Sequence, residues 1–210
     1  MIDSGSRYLS KSHAFYQGTT LLLAIHDEVN AVLWVANVGD SRGVMRSSGP
    51  EEVLPLSYDH KPNQVSQCFN ALEASPLTCF TQFQIKERKR IEEAGGFVAM
   101  NGVWRVQGIL ATSRAMGDFP LKKVVTSEPD ILSFDTSAKG GADFAILATD
   151  GLWDTHTNDA AVNIVRNSLS TSKGKEKITS NDLLEAAKEL TLDAFDRGST
   201  DNISVILIKF

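Results

Sequence analysis

At 210 residues the chain is long enough for one domain with a hydrophobic core of its own. An apolar share of 42% and a charged share of 22% are ordinary for a globular protein, and a formal charge of −5 argues against the basic face that a nucleic-acid binder needs. No apolar run approaches the length of a membrane span, Met1-Ile2-Asp3-Ser4 lacks a signal peptide's apolar core, and two cysteines make no disulfide framework, so an intracellular, cytoplasmic setting is expected.

Residues 1–17 are polar and weakly patterned, and are expected to be a frayed end. Gly18-Thr19-Thr20 opens the run Leu21-Leu22-Leu23-Ala24-Ile25, Asp27-Glu28-Val29-Asn30 turns, and 31–38 is a second apolar run, which together predict an antiparallel hairpin. Gly39-Asp40-Ser41-Arg42-Gly43 breaks that strand and leaves either a charged turn or a carboxylate mounted at a strand end. Short strands at 43–46 and 52–57 follow, joined by Ser47-Ser48-Gly49-Pro50. Tyr58-Asp59-His60-Lys61-Pro62 is a polar loop, in which His60 reads as a structural or exposed histidine before an acid or base.

Residues 86–95 form a short charged helix that stops at Gly95-Gly96, and its interleaved glutamates make it a solvated face rather than a nuclear address. Residues 97–106 read as a hairpin turning at Asn101-Gly102. After 109–118 and Glu128-Pro129-Asp130 comes the strand Ile131-Leu132-Ser133-Phe134. The run Phe144-Ala145-Ile146-Leu147-Ala148-Thr149 has no polar alternation, so it is expected to be a strand buried on both faces. It delivers Asp150, Gly151 and Asp154, and the glycine permits a tight turn that points both carboxylates into one small volume. Taken alone, a plain polar turn fits as well.

Ala161, Ile164, Val165 and Leu169 share one helical face, with Asn158 as the expected cap. Residues 170–181 read as a loop, and Leu183, Ala187, Leu190 and Ala194 mark a second helix, capped near Ser180 and stopped at Gly198. Asp201-Asn202 then leads into 203–208, read as a buried strand. Strands in runs, then helices, with hairpin connections, predict an α+β fold with mostly antiparallel sheets.

Four stretches in order, Gly39-Asp40-Ser41-Arg42, Ser113-Arg114-Ala115-Met116-Gly117-Asp118, Thr149-Asp150-Gly151-Leu152-Trp153-Asp154 and Asp201-Asn202, resemble the motifs of the metal-dependent, type 2C serine/threonine protein phosphatases. Asp59-His60-Lys61-Pro62 and Glu128-Pro129-Asp130 fit as well, and the likeness runs from about Gly18 to Phe210. The wording of 35–43 and 104–111 is closest to the protein phosphatase 1-like branch. The resemblance implies a sandwich of two mostly antiparallel β-sheets flanked by helices, with a Mn2+ or Mg2+ centre at one end. It also implies phosphoserine and phosphothreonine proteins as substrates, with a metal-held water attacking phosphorus in line and no phospho-enzyme. Carried over residue by residue, Asp150 and Asp201 would hold the first metal, and Asp40, Asp150 and Asp154 a weaker third one. Hard divalent cations do want oxygen ligands of this kind.

Against that family pattern, the sequence has no acidic pair on an early strand, no Asp-Gly-His-Gly-Gly motif and no amino-terminal arginine for the phosphate. Residues 18–210 are therefore expected to be a partial phosphatase domain, incomplete at its amino end, with little or no activity as written. The alternative is a non-catalytic fragment that binds metal or partners, and a membrane anchor on a longer product stays open. Missing strands would leave unpaired edges and apolar faces, hence poor solubility. Residues 65–84 also interrupt the pattern, with both cysteines and three of the ten phenylalanines among them. Val65-Ser66 can be encoded GTAAGT and Phe83-Gln84 TTTCAG, which resemble splice sites. A retained in-frame intron is the expectation, a genuine loop insertion its alternative, and in translated form an exposed, poorly ordered loop.

Overall fold

The computed structural model describes residues 13–47, 53–62, 86–137, 141–171 and 178–210. The segment 65–84, most of the amino end at 1–17 and the middle of the 170–181 loop lie outside the described residues. In chain order the strands are β1 (Gly18–Thr19), β2 (Leu21–Asp27), β3 (Val32–Val38), β4 (Arg42–Ser47), β5 (Val53–Pro55), β6 (Val98–Asn101), β7 (Val103–Val106), β8 (Met116–Gly117), β9 (Asp130–Asp135), β10 (Ala142–Ala148) and β11 (Val205–Lys209). The helices are α1 (86–93), α2 (Asp150–Trp153), α3 (Asn158–Thr171) and α4 (Ser180–Asp196). Single 3-10 turns lie at His13–Tyr16 and Phe119–Leu121. The chain divides into two units. One comprises Met1–Leu21, Val38–Asp40 and Tyr58–Pro129, the other Leu22–Asn37, Ser41–Ser57 and Asp130–Phe210.

The second unit is built around β10. Phe144 to Ala148 are buried without interruption, as the unbroken apolar run predicts. β10 pairs antiparallel with β11 (Ala145 opposite Ile208) and with β4 (Ala145 opposite Met45), and β4 pairs with β5. Successive side chains leave opposite faces of the sheet. Val44, Phe144, Ile146, Ala148, Val205 and Leu207 therefore pack with Val162, Val165 and Leu169 of α3 and with Ala186, Leu190 and Ala194 of α4. Met45, Ala145 and Leu147 face the other way, onto Leu33 and Val35 of β3. β3 is the middle strand of a second sheet, β2-β3-β9, and pairs antiparallel with β9 (Leu33 opposite Phe134). Helices, a four-stranded sheet and a three-stranded sheet thus form three layers, the expected α+β sandwich.

Local differences have local causes. Thr157, not Asn158, caps α3: its Oγ1 accepts the Ala160 N–H at 3.2 Å, while Asn158 uses its side-chain oxygen on Arg42. α4 is capped near Ser180 as expected, by Thr179 in a reciprocal capping box with Asp182. β11 was expected to be buried, but among the described residues it has a sheet neighbour on one side only, and Ile206 is 61% exposed.

In the first unit Ile91, Val106, Ala115, Val124 and Val125 form a small core. The β6–β7 hairpin turns where expected: Asn101 pairs with Val103, which leaves Gly102 between the paired strands. Gly102, at φ 69°, takes its left-handed position. α1 is not wholly solvated: Glu87 and Ile91, one turn apart, are both buried. Among the described residues no helix is long and apolar enough to cross a membrane.

Candidate functional site

Asp150 opens α2 directly beyond the buried end of β10, and Asp154 closes it, donating its backbone N–H to the Asp150 carbonyl at 2.8 Å. The intervening Leu152 and Trp153 are buried, whereas Asp150 is half-buried and Asp154 exposed. Trp153 fixes this turn. Its indole N–H is shared between the carbonyls of Ala148 at 3.0 Å and Arg42 at 3.1 Å. The Arg42 guanidinium lies 5.1 Å above the indole ring and donates to Asn158 at 2.9 Å.

Asp201 belongs to the segment that leads into β11, and this segment is stitched to the start of α2. Thr149 Oγ1 donates to the Asn202 carbonyl at 3.0 Å and accepts the Ser204 N–H at 3.0 Å. Ser199 Oγ donates to the Gly151 carbonyl at 2.7 Å. A Cβ on Gly151 would stand 2.5 Å from the Asn202 carbonyl oxygen, so only glycine admits this approach. The Asp201 carboxylate accepts the Asn202 N–H at 2.6 Å and is exposed, as is Asp154, whereas Asp150 is half-buried.

Asp40 lies in the first unit, buried, after Gly39 at φ 109°. A Cβ at Gly39 would stand 2.4 Å from Thr20 Cγ2. His60 holds this bend: its Nδ1 accepts the Gly39 N–H at 2.9 Å, and its own N–H donates to the Gly39 carbonyl at 2.9 Å. Fully buried and engaged on both sides, His60 is the structural residue that a lone loop histidine suggests.

The aspartates supply the hard oxygen donors that Mn2+ or Mg2+ prefers. Among the described residues, however, no three His, Cys, Asp or Glu side chains come together as a group able to hold a metal ion. The donor chemistry fits the ion and the donor number does not.

Two acidic residues outside the expected set stand out. Glu87 receives Arg114 at 2.8 Å, Arg90 at 2.9 Å and the Ser113 hydroxyl at 2.7 Å. Burial alone would raise its carboxyl, but these donors outweigh that and bring it down to about 2. The Ser113 backbone N–H and the Thr112 hydroxyl donate to the His60 carbonyl, at 2.6 and 3.0 Å, which ties the Ser113-Arg114 motif to the loop holding Gly39. Asp118 adopts a left-handed backbone at φ 47° and lies against Gly18, where a Cβ would sit 1.8 Å from its Oδ2. Burial raises its carboxyl, opposed by Lys122. A strained, partly buried acid is a functional candidate in its own right. In the sequence it shows only as the last letter of a motif.

A family model described as protein phosphatase 2C matches residues 3–66 and 81–203, leaving 67–80 between its two segments. Protein phosphatase 1L of Bos taurus is 44% identical over 195 residues, covering 92% of this chain and 44% of that protein. A phosphatase from Toxoplasma gondii superimposes with a TM-score of 0.66 at 31% identity, over 85% of this chain and 48% of its own. A sex determining protein of C. elegans shares the fold, with a TM-score of 0.73 at 24% identity, over 96% of this chain and 43% of its own. The chain spans less than half the length of each.

Proposed function

The chain belongs to the protein phosphatase 2C family, and we propose that it supplies part of a Mn2+- or Mg2+-dependent phosphatase for phosphoserine and phosphothreonine in intracellular proteins. In this reading Asp150 and Asp201 serve a first ion. Such an ion, when bound, neutralises phosphate charge and makes water acidic enough to act as a nucleophile near neutral pH. What these residues do themselves is mount oxygen donors on a rigid base: β10 and Trp153 fix Asp150, and Thr149 and Ser199 hold the Asp201 segment beside it.

The observation that carries the reading is this stitching of the Asp201 segment to the Asp150 turn, within a sequence 44% identical to a protein phosphatase. Among the described residues no third donor joins the group, and the 210 residues alone are proposed to turn over little or no substrate. Manganese-dependent hydrolysis of a phosphothreonine peptide should stay near background, and clear turnover that Asp150→Ala abolishes would overturn the inactivity. Calorimetric titration with Mn2+ should give weak heats that Asp150→Ala removes; identical heats from both proteins would take the aspartates out of the metal role. We further propose that 65–84 is a retained intron, a reading supported by the gap in the family match at 67–80. Sequencing messages across Gln64 and Ile85 tests it, and a segment present in every message refutes it.

A further inference from the structure

We propose that the outer face of α4 is a docking surface for a basic, amphipathic helix of a partner protein. α4 buries Asp182, Ala186, Leu190 and Ala194 against the sheet layer. Its opposite face is not the polar one that an outer helix ordinarily presents. Leu184, Leu192 and Phe195 are 52%, 62% and 66% exposed. At about 1.5 Å per residue they mark a stripe roughly 16 Å long. Glu185, Glu189 and Asp196 form a ridge beside it. Lys188 is engaged with Glu185 at 2.9 Å, whereas Glu189 and Asp196 make no ion pair among the described residues. A groove of about 430 Å³ runs along this ridge, bounded by Ser168 of α3 and by Lys188, Glu189, Leu192 and Asp196 of α4, with carboxylates outnumbering the one lysine.

The occupant follows from the two chemistries side by side. Exposed leucine and phenylalanine in one stripe call for apolar anchors at helical spacing, the recognition mode of a helix laid in a groove. Glu189 and Asp196 are seven residues apart, two turns or about 10.5 Å, so a partner helix answers them with lysine or arginine at the same interval. A second copy of this chain suits the surface poorly, because a two-fold pairing of α4 with itself would set acidic ridge near acidic ridge. None of this depends on the phosphatase reading.

The test uses the full chain and a synthetic helical peptide of about 18 residues, long enough to form a helix on the surface. The peptide carries lysines seven apart flanking leucines, and a scrambled peptide of the same composition is the control. Fluorescence anisotropy at physiological salt should show the patterned peptide binding at least about tenfold tighter than the scrambled one. Leu192→Ser with Phe195→Ser, and separately Glu189→Lys with Asp196→Lys, should each weaken it by a similar factor. Zero-length cross-linking on the unaltered chain should join peptide lysines to Glu189 or Asp196, a readout independent of whether the variants fold. Equal binding of both peptides, affinities untouched by the substitutions, or cross-links confined to other carboxylates would overturn the proposal. So would a dimer in sedimentation that Leu192→Ser with Phe195→Ser turns into a monomer, since the occupant would then be a second copy.

Discussion

Glu87 is 2% exposed, and it keeps its charge there because three donors converge on it. Its folded value of about 2 lies below the ordinary 4.5, so its stabilisation is complete above about pH 4.5 and is lost as the pH falls toward 2. Glu87→Gln should flatten that acid limb in denaturant titrations run across the range. It should also lower stability at neutral pH by about 3 kcal/mol, since the ion pair that Glu87 makes with Arg114 in a nearly closed site would be broken. Asp118 has the opposite sign. Burial raises its carboxyl, so ionisation costs stability as the pH rises through the folded value. Asp118→Asn, which tolerates the left-handed backbone, is expected to hold or raise the melting temperature at neutral pH. Asp118→Ala, which keeps the backbone strain without a polar side chain, should cost about 1 kcal/mol.

At the scale of elements, the turn at Asp150 depends on a missing side chain. In Gly151→Ala the new methyl meets the Asn202 backbone carbonyl, which no rotamer change can move aside. A loss of about 1–3 kcal/mol is expected in thermal or chemical unfolding, with the Asp201 segment displaced. β10 was legible in the sequence because burial on both faces leaves an unbroken apolar run, and the helices because their buried faces repeat with helical period. The α3 cap falls one residue before the expected Asn158 because Thr157 stands next to that equally eligible side chain, and only the backbone bend decides between them. Glu87 was misread for a deeper reason. Its partner Arg114 is 27 residues away, and nothing within α1 distinguishes a buried glutamate from its solvated neighbours. The aspartates of the candidate site were readable only through the order of four motifs, since each alone is an ordinary polar turn.

Across the whole molecule, the three-stranded sheet has a side that the core does not use. β3 turns Leu33 and Val35 inward and leaves Trp34 48% exposed. On the same sheet Leu23 and Ile25 of β2 are 45% and 57% exposed, and Ile131 of β9 is 60% exposed. β2 is also the last strand of its sheet, so among the described residues its outer edge has no strand beside it. An apolar strand at an open edge is a template for pairing with other chains, and neither proline nor lysine interrupts 21–27. The isolated chain should therefore aggregate with rising concentration even where its fold is intact. Leu23→Lys with Ile25→Lys places charge on the exposed side of β2 and leaves the inward-facing Leu22 and Ala24 in the core. Light scattering should show the onset of aggregation moving to higher concentration in this variant, with circular dichroism unchanged. A parent chain that stays monodisperse to high concentration, or a variant that scatters as early as the parent, would show that this face is not what drives association.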